Sequence, residues 1–139
     1  MIVTRATPDM LEGLPVLLPI DERKWFDAAV LNRALAQSEI TWVGLTIQGV
    51  VMLGGICRAD ADTGRVWQVG TRLIAEHKRD YLRESLVLMG KGLSLFPRLI
   101  TVVRADYTAA LRHCRRNGWI ISAPQDFGGT RACLCERGR

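Results

Sequence analysis

The chain has 139 residues, 48% of them hydrophobic and 24% charged, with a formal net charge of +5. That length and balance predict one soluble globular domain over 1–139, large enough to hold a core without disulfide or metal staples. No apolar run approaches the roughly 20 residues of a bilayer-spanning helix, and the opening Met1-Ile2-Val3-Thr4-Arg5 lacks signal-peptide architecture, so synthesis in the cytoplasm is the expectation.

The charge is uneven. Residues 1–69 carry 6 basic and 8 acidic side chains, whereas residues 70–139 carry 13 and 6. A basic second half suits a phosphate-bearing partner such as a nucleotide cofactor, nucleic acid or anionic lipid; it equally suits a solvated positive surface. Cys57, Cys114, Cys133 and Cys135 form no C-x-x-C pair, and His77 and His113 complete no zinc-type spacing, so the expectation is free buried thiols and no metal site.

In chain order, Ile2–Ala6 reads as a brief strand, and Thr7-Pro8-Asp9 as a helix start in which Thr7 or Asp9 accepts from exposed amides. Pro15 and Pro19 keep that helix short. A second helix is predicted from about Asp21 to Gln37. Its apolar stripe is Phe26, Ala29, Val30 and Ala34, widened by Leu31 and Leu35 and bordered by Trp25 and Arg33. A hairpin follows: Thr41–Ile47 sets Val43, Leu45 and Ile47 on one face, Gln48-Gly49 turns, and Val50–Arg58 returns. Gly54-Gly55 in the returning strand predicts a bulge or a close approach to another backbone. Asp60–Gly64 has the wrong spacing for a calcium loop and lacks the terminal glutamate, so it reads as a turn.

The stretch from Val66 to Ile121 organises the rest. A strand at Val66–Thr71 leads to a helix over about Glu76–Phe96, ended by Pro97. The helix's core stripe is Leu82, Leu86, Met89 and Leu93, with Gly90 and Gly92 expected to loosen its last turns. A strand at Arg98–Arg104, a helix over about Tyr107–Arg116, and a strand at Trp119–Ile121 complete the unit. Pro124–Asp126 is a corner, and Phe127–Thr130 turns into a final strand, Arg131–Glu136. A strand–helix–strand crossover implies neighbouring parallel strands with ligands at the strand-to-helix handover, so function is sought between Val69 and Arg79.

This order of elements resembles the Gcn5-related N-acetyltransferases over essentially the whole chain. Ile2–Asp9 is similar to that family's opening, Val51-Met52-Leu53-Gly54-Gly55 to its central strand, and Ala110 through Asn117-Gly118-Trp119 to its late helix. The resemblance implies an α/β (α+β) acyl-CoA N-acyltransferase fold, with a central mixed, mostly antiparallel sheet flanked by helices. A narrower likeness is to the small internal virion proteins of T7-like podophages. It rests on Val66-Trp67-Gln68-Val69, His77-Lys78-Arg79 and the Arg104–Trp119 segment.

The wider resemblance implies acetyl-CoA as cofactor, bound through its pyrophosphate at a Gln/Arg-x-x-Gly-x-Gly/Ala loop. The corresponding segment here is Gly70–Arg79, with Val69, Gly70, Thr71, Arg72, His77, Lys78 and Arg79 as the candidate binding residues. Only Gly70 is a glycine, so the cationic side chains offer attraction without the amide cradle; the alternative is the solvated start of an amphipathic helix. The family's thiolate-protonating tyrosine falls on Cys114, which is either a proton donor or a small residue facing the sheet. Asp106-Tyr107 stand where the family often has an asparagine, and Tyr107 and Tyr81 lie off the tyrosine position. His77 is the candidate base, with a surface histidine as the alternative.

Arg112, Arg115 and Arg116 share a helix face, and Lys78, Arg79 and Arg83 form a second basic cluster; both suit weak, non-specific nucleic-acid contact. The resulting expectation is a phage-encoded protein of the host cytoplasm and then the virion. It would act with other virion or assembly proteins and carry a degenerate acetyl-CoA site. The alternative is an active acetyl-CoA-dependent N-acetyltransferase with a non-standard pyrophosphate loop.

Overall fold

Two apolar runs, Thr41–Thr46 and Val50–Arg58, build the centre of a single sheet, because each buries on both faces. The structure is a computed structural model in which residues 1–11 and 26–139 are described. The predicted proline breaks at Pro15 and Pro19, the helix start at Asp21, and Trp25 lie outside those residues. The strands are β1 (Ile2–Thr4), β2 (Ser38–Thr46), β3 (Gly49–Arg58), β4 (Thr63–Gly70), β5 (Arg98–Arg104), β6 (Ile120–Ile121), β7 (Gln125–Phe127) and β8 (Thr130–Gly138). The helices are α1 (Ala28–Gln37), α2 (Lys78–Leu95) and α3 (Thr108–Arg116), with 3-10 turns at Pro8–Leu11 and Arg72–Glu76.

The sheet order is β1-β2-β3-β4-β5-β8-β6, with β7 also paired to β8. Every pairing is antiparallel except β4 with β5. The expected mixed, mostly antiparallel sheet flanked by helices is therefore the observed one. Alternation sorts the core: Trp42, Met52 and Ile56 meet Leu88, Met89 and Leu111 of α2 and α3, while Val43, Leu53 and Val69 meet Leu31 of α1 on the other face.

Several local expectations are corrected. Thr7 and Asp9 do not cap a helix; the Thr7 hydroxyl donates to the Asp9 carboxylate above a single 3-10 turn. The helix expected through Phe26 and Asp27 begins at Ala28, because Asp27 Oδ1 accepts from the Val30 amide at 2.9 Å and so caps it. Leu31 is its fully buried anchor, and Ala29 is exposed. In the hairpin, a register shift between Gly44 and Leu45 resets the alternation, so Ile47 falls in the turn, fully exposed. The predicted corner at Pro124–Asp126 is strand β7 from Gln125 on. It turns through Gly128 and Gly129 at φ of 61° and 90°, where side chains other than glycine are disfavoured.

Gly54 pairs in unbroken register with Trp42 on β2 and Gln68 on β4, so there is no bulge there. The expected close approach to another backbone is present: a Cβ on Gly54 would lie 2.7 Å from the Trp67 carbonyl oxygen and one on Gly55 2.7 Å from the Ile40 carbonyl oxygen, and tryptophan rings crowd both positions. A Cβ on Gly54 would lie 2.6 Å from Trp42 Nε1, and one on Gly55 would lie 2.9 Å from Trp67 Nε1.

The core face of α2 keeps Met89 and Leu93 of the predicted stripe but not Leu82 and Leu86. Ser85, Leu88, Met89 and Gly92 are buried, with Tyr81 and Leu93 against them, while Leu82 and Leu86 are exposed. Small residues on the inner face let the helix settle close to the sheet, and a Cβ on Gly92 would lie 2.6 Å from Ile56 Cδ1. Gly92 is thus a packing contact, not a point of fraying.

Candidate fork between β4 and β5

The two parallel strands pair over three positions only: Thr63 with Arg98, Gly64 with Leu99, and Arg65 with Ile100. Beyond them β4 stays with β3 as far as Gly70, and β5 stays with β8 as far as Arg104. Each strand follows its outer partner, and the pair parts into a fork. At its root the Thr101 hydroxyl donates to the Val66 carbonyl at 2.9 Å, standing in for the next ladder bond. Since Val66 turns its carbonyl to the fork, strand alternation turns the backbone of Gln68 and Gly70 the same way.

Both strands end at the open end of this fork, and α2 and α3 start just beyond it. That is where open α/β sheets hold ligands, near helix N-termini that favour anions. His77, the residue before α2, makes no side-chain cap bond, and the first turn carries Lys78 and Arg79 beside Asp80, which pairs with the chain's amino terminus and Arg83. Lys78 and Arg79 oppose the helix dipole by themselves and would complement an anion.

The predicted junction residues gather here. Gly70 ends β4. Thr71 is buried; its hydroxyl donates to the Val50 carbonyl at 2.7 Å and accepts from the Leu73 amide at 3.2 Å. Arg72, Lys78 and Arg79 are exposed and His77 is half-buried. Val69 contributes backbone only, since its side chain is buried on the α1 face. In place of a glycine loop stands the closed 3-10 turn Arg72–Glu76, whose Ile74 side chain occupies the position a Cβ on Gly70 would take. The β2–β3 turn braces it: Gln48 Oε1 lies 3.1 Å from His77 Nε2, and Gln48 Nε2 donates to Glu76 at 3.1 Å.

Cys114 is not brought to His77. It sits six residues along α3 from Thr108, about 9 Å down the helix from the open end. There it is half-buried and hydrogen-bonded with Cys135 of β8. Burial pushes the Cys114 thiol up, and burial, with the neighbouring Cys114, pushes Cys135 up to about 12, so both remain protonated thiols. All four cysteines are free. Arg112, Arg115 and Arg116 are exposed on α3; His113 between them is half-buried, and that desolvation pushes its pKa down. Among the described residues there is no group of three or more metal-ligating side chains, and no helix is long and apolar enough to cross a membrane.

Two features of the fork escape sequence reasoning. Trp42 Nε1 donates to Gln68 Oε1 at 2.9 Å, and Gln68 Nε2 donates to the Tyr81 hydroxyl at 3.0 Å, tying α2 to the sheet beside the fork. The available signal is a lone glutamine on an otherwise apolar strand face. At the start of α3 the Arg104 guanidinium lies 4.4 Å from the Tyr107 ring centroid and pairs with Asp106 at 2.7 Å. The Arg104–Asp106 pair holds the Asp106 carboxyl below its usual range.

No protein-family model matches the chain, and no curated protein matches it in sequence at a significant level. Solved structures do match in shape. The Ard1 structure from Thermoplasma volcanium superposes with a TM-score of 0.75 at 15% identity, covering 99% of this chain and 96% of that one. The phosphinothricin acetyltransferase (Pat) of the GNAT superfamily from Sinorhizobium meliloti, in complex with AcCoA, gives 0.75 at 12% identity over 99% and 87%. A GNAT-family acetyltransferase from Streptococcus pneumoniae gives 0.66 at 15% identity over 99% of each chain. The chain has the acyl-CoA N-acyltransferase fold of the Gcn5-related enzymes.

Proposed function

We propose that this chain is an acyl-CoA-dependent N-acyltransferase whose pyrophosphate site departs from the usual glycine loop. The observation that carries the reading is the fork: two parallel strands joined at the root and open at the ends where α2 and α3 begin. The exposed edge of β4 offers backbone groups to an amide-bearing chain, as an absent strand would. Lys78 and Arg79, with the first-turn amides of α2, offer charge and donors to a diphosphate. The similarly folded Sinorhizobium protein in complex with AcCoA supports acetyl-CoA as the ligand class. In the transfer itself an amine nitrogen attacks the thioester carbonyl, the C–N bond forms, the C–S bond breaks, and the amine proton ends on the departing sulfur. Cys114, a protonated thiol beside Cys135, is the candidate for delivering that proton.

Calorimetric titration with acetyl-CoA at low salt tests the reading. Saturable binding is expected, weakened about tenfold or more by the paired reversal Lys78→Glu and Arg79→Glu, since each charged contact is worth roughly 1.5–3 kcal/mol. Absence of saturable binding in the parent protein overturns it.

A second reading has its own observation. The closed 3-10 turn, braced by Gln48 against His77 and Glu76, sets a carboxylate beside the place a pyrophosphate would occupy. That arrangement favours a catalytically silent member, and on this reading we propose a phage-encoded protein acting in the virion or in particle assembly, with other virion or assembly proteins as partners. Its course runs from host cytoplasm to particle, and Arg112, Arg115 and Arg116 supply salt-sensitive nucleic-acid contact. Mass spectrometry of purified particles is expected to find the chain; recovery only from the lysate of infected cells counts against this reading.

A further inference from the structure

On the opposite sheet face from α2, a cavity of about 260 Å³ opens between α1 and the root half of β4. Phe26, Leu31, Cys57 and Trp67 wall it, and Arg33 and Arg65 line it from α1 and β4. Both arginines are exposed. Elsewhere Arg58, Arg83, Arg98 and Arg104 each pair with a carboxylate within 4 Å. Arg33 and Arg65, like Arg112, Arg115 and Arg116, pair with none among the described residues. Two guanidinium groups sharing one cavity mouth repel each other, and a carboxylate between them relieves that repulsion while accepting from planar forks shaped to it.

The aromatic wall is fixed before any ligand arrives. Trp67 Nε1 donates to Ser38 Oγ at 2.7 Å, and Ser38 Oγ in turn donates to the Ala34 carbonyl at 2.6 Å, so strand, helix and indole are pinned together. Gly55 leaves room for this indole, because a Cβ there would lie 2.9 Å from Trp67 Nε1. A volume of about 260 Å³ leaves room for a small organic molecule. An apolar pocket with few convergent polar groups is the usual form of a small-molecule site.

We propose that this cavity binds a small monocarboxylate with an apolar, ring-sized body: the body against Phe26 and Trp67, the carboxylate between Arg33 and Arg65. The proposal concerns binding and stands independently of acyl transfer at the fork.

Phenylacetate and phenethylamine, alike in size and opposite in charge, are the probes. Each is titrated into the full chain with no acyl-CoA present, followed by calorimetry and by tryptophan fluorescence. Phenylacetate is expected to saturate with a Kd below about 1 mM and phenethylamine not to bind. Arg65→Gln and Arg33→Gln should each weaken phenylacetate about tenfold or more, as the loss of a charged hydrogen bond predicts, without moving the thermal midpoint. The proposal is overturned if phenylacetate fails to saturate, if both probes bind alike, or if both arginine variants bind phenylacetate as the parent does. Because no thioester is present, its failure and that of the acyltransferase reading are read separately.

Discussion

Phe96→Ala is expected to lower the free energy of unfolding by about 3–5 kcal/mol, the largest loss of any single truncation considered for this chain. Phe96 is completely buried and closes α2, its amide donating to the Gly92 carbonyl at 2.9 Å. Its ring lies beneath Gly64, where a Cβ would come 2.7 Å from Phe96 Cδ2, and the Arg58 guanidinium covers it at 4.7 Å from the centroid. Its cluster includes Ile56 and Leu99, both also completely buried, on strands held by their ladders. The space left by truncation therefore has little means of collapsing, and the cavity cost adds to the lost transfer energy. Phe96→Leu keeps most of the volume and should cost less than about 1.5 kcal/mol. Urea unfolding measures both: the midpoint should fall with an unchanged slope, and a loss for Phe96→Ala of under about 1 kcal/mol would contradict the packing described. Against a total stability of about 5–15 kcal/mol, the expected loss is a large share.

The same residue shows which parts of this fold are legible in the sequence. Pro97 marks the end of α2, and the apolar runs of β2 and β3 mark the sheet centre, because each is a local property of the sequence. The face α2 buries is a different matter. A leucine stripe through Leu82 and Leu86 competes with one through Tyr81, Ser85 and Gly92 displaced by a single residue. Hydrophobicity favours the first, whereas close approach to Ile56 and Leu99 selects the second. The helix start at Ala28 is another instance: composition does not single out Asp27 as its cap, and the bond to the Val30 amide does.

At the candidate site, the strand-to-helix junction and its shortage of glycine are visible in Gly70–Arg79. The 3-10 turn that replaces the loop is not, since its determinants are Ile74 filling the space beside Gly70 and the Thr71 hydroxyl reaching Val50 on the neighbouring strand. The fork itself arises from β3 and β8 drawing β4 and β5 apart, a contest between pairings that no window of sequence contains. The cavity at Arg33 and Arg65 needs α1 placed over β4 and is equally non-local.

Gly54→Ala is expected to cost about 1–3 kcal/mol, although alanine is the better residue for an ordered strand by about 0.5–1 kcal/mol. The added Cβ would lie 2.6 Å from Trp42 Nε1, 2.7 Å from Trp42 Cε2 and 2.7 Å from the Trp67 carbonyl oxygen. Neither neighbour has a simple escape. Trp42 is 2% exposed with its indole N–H bonded to Gln68, and the Trp67 oxygen belongs to the adjoining strand. A double-mutant cycle separates the two. Trp42→Phe shrinks the ring that the Cβ strikes, so the pair Gly54→Ala with Trp42→Phe should be less destabilised than the sum of the single variants by about 0.5–3 kcal/mol. Additivity within about 0.3–0.5 kcal/mol would place the strain on the Trp67 carbonyl alone. Since Gln68 is held between Trp42 and Tyr81 on the strand that forms one side of the fork, the clash is transmitted to the edge proposed to meet the acyl-CoA chain. Gly54→Ala should therefore weaken acetyl-CoA binding as well as stability, and Trp42→Phe added to it should offset part of the stability loss without restoring the Trp42–Gln68 bond. Measuring affinity and unfolding midpoint on the same three variants shows whether the tryptophan serves the core alone or the core and the fork together.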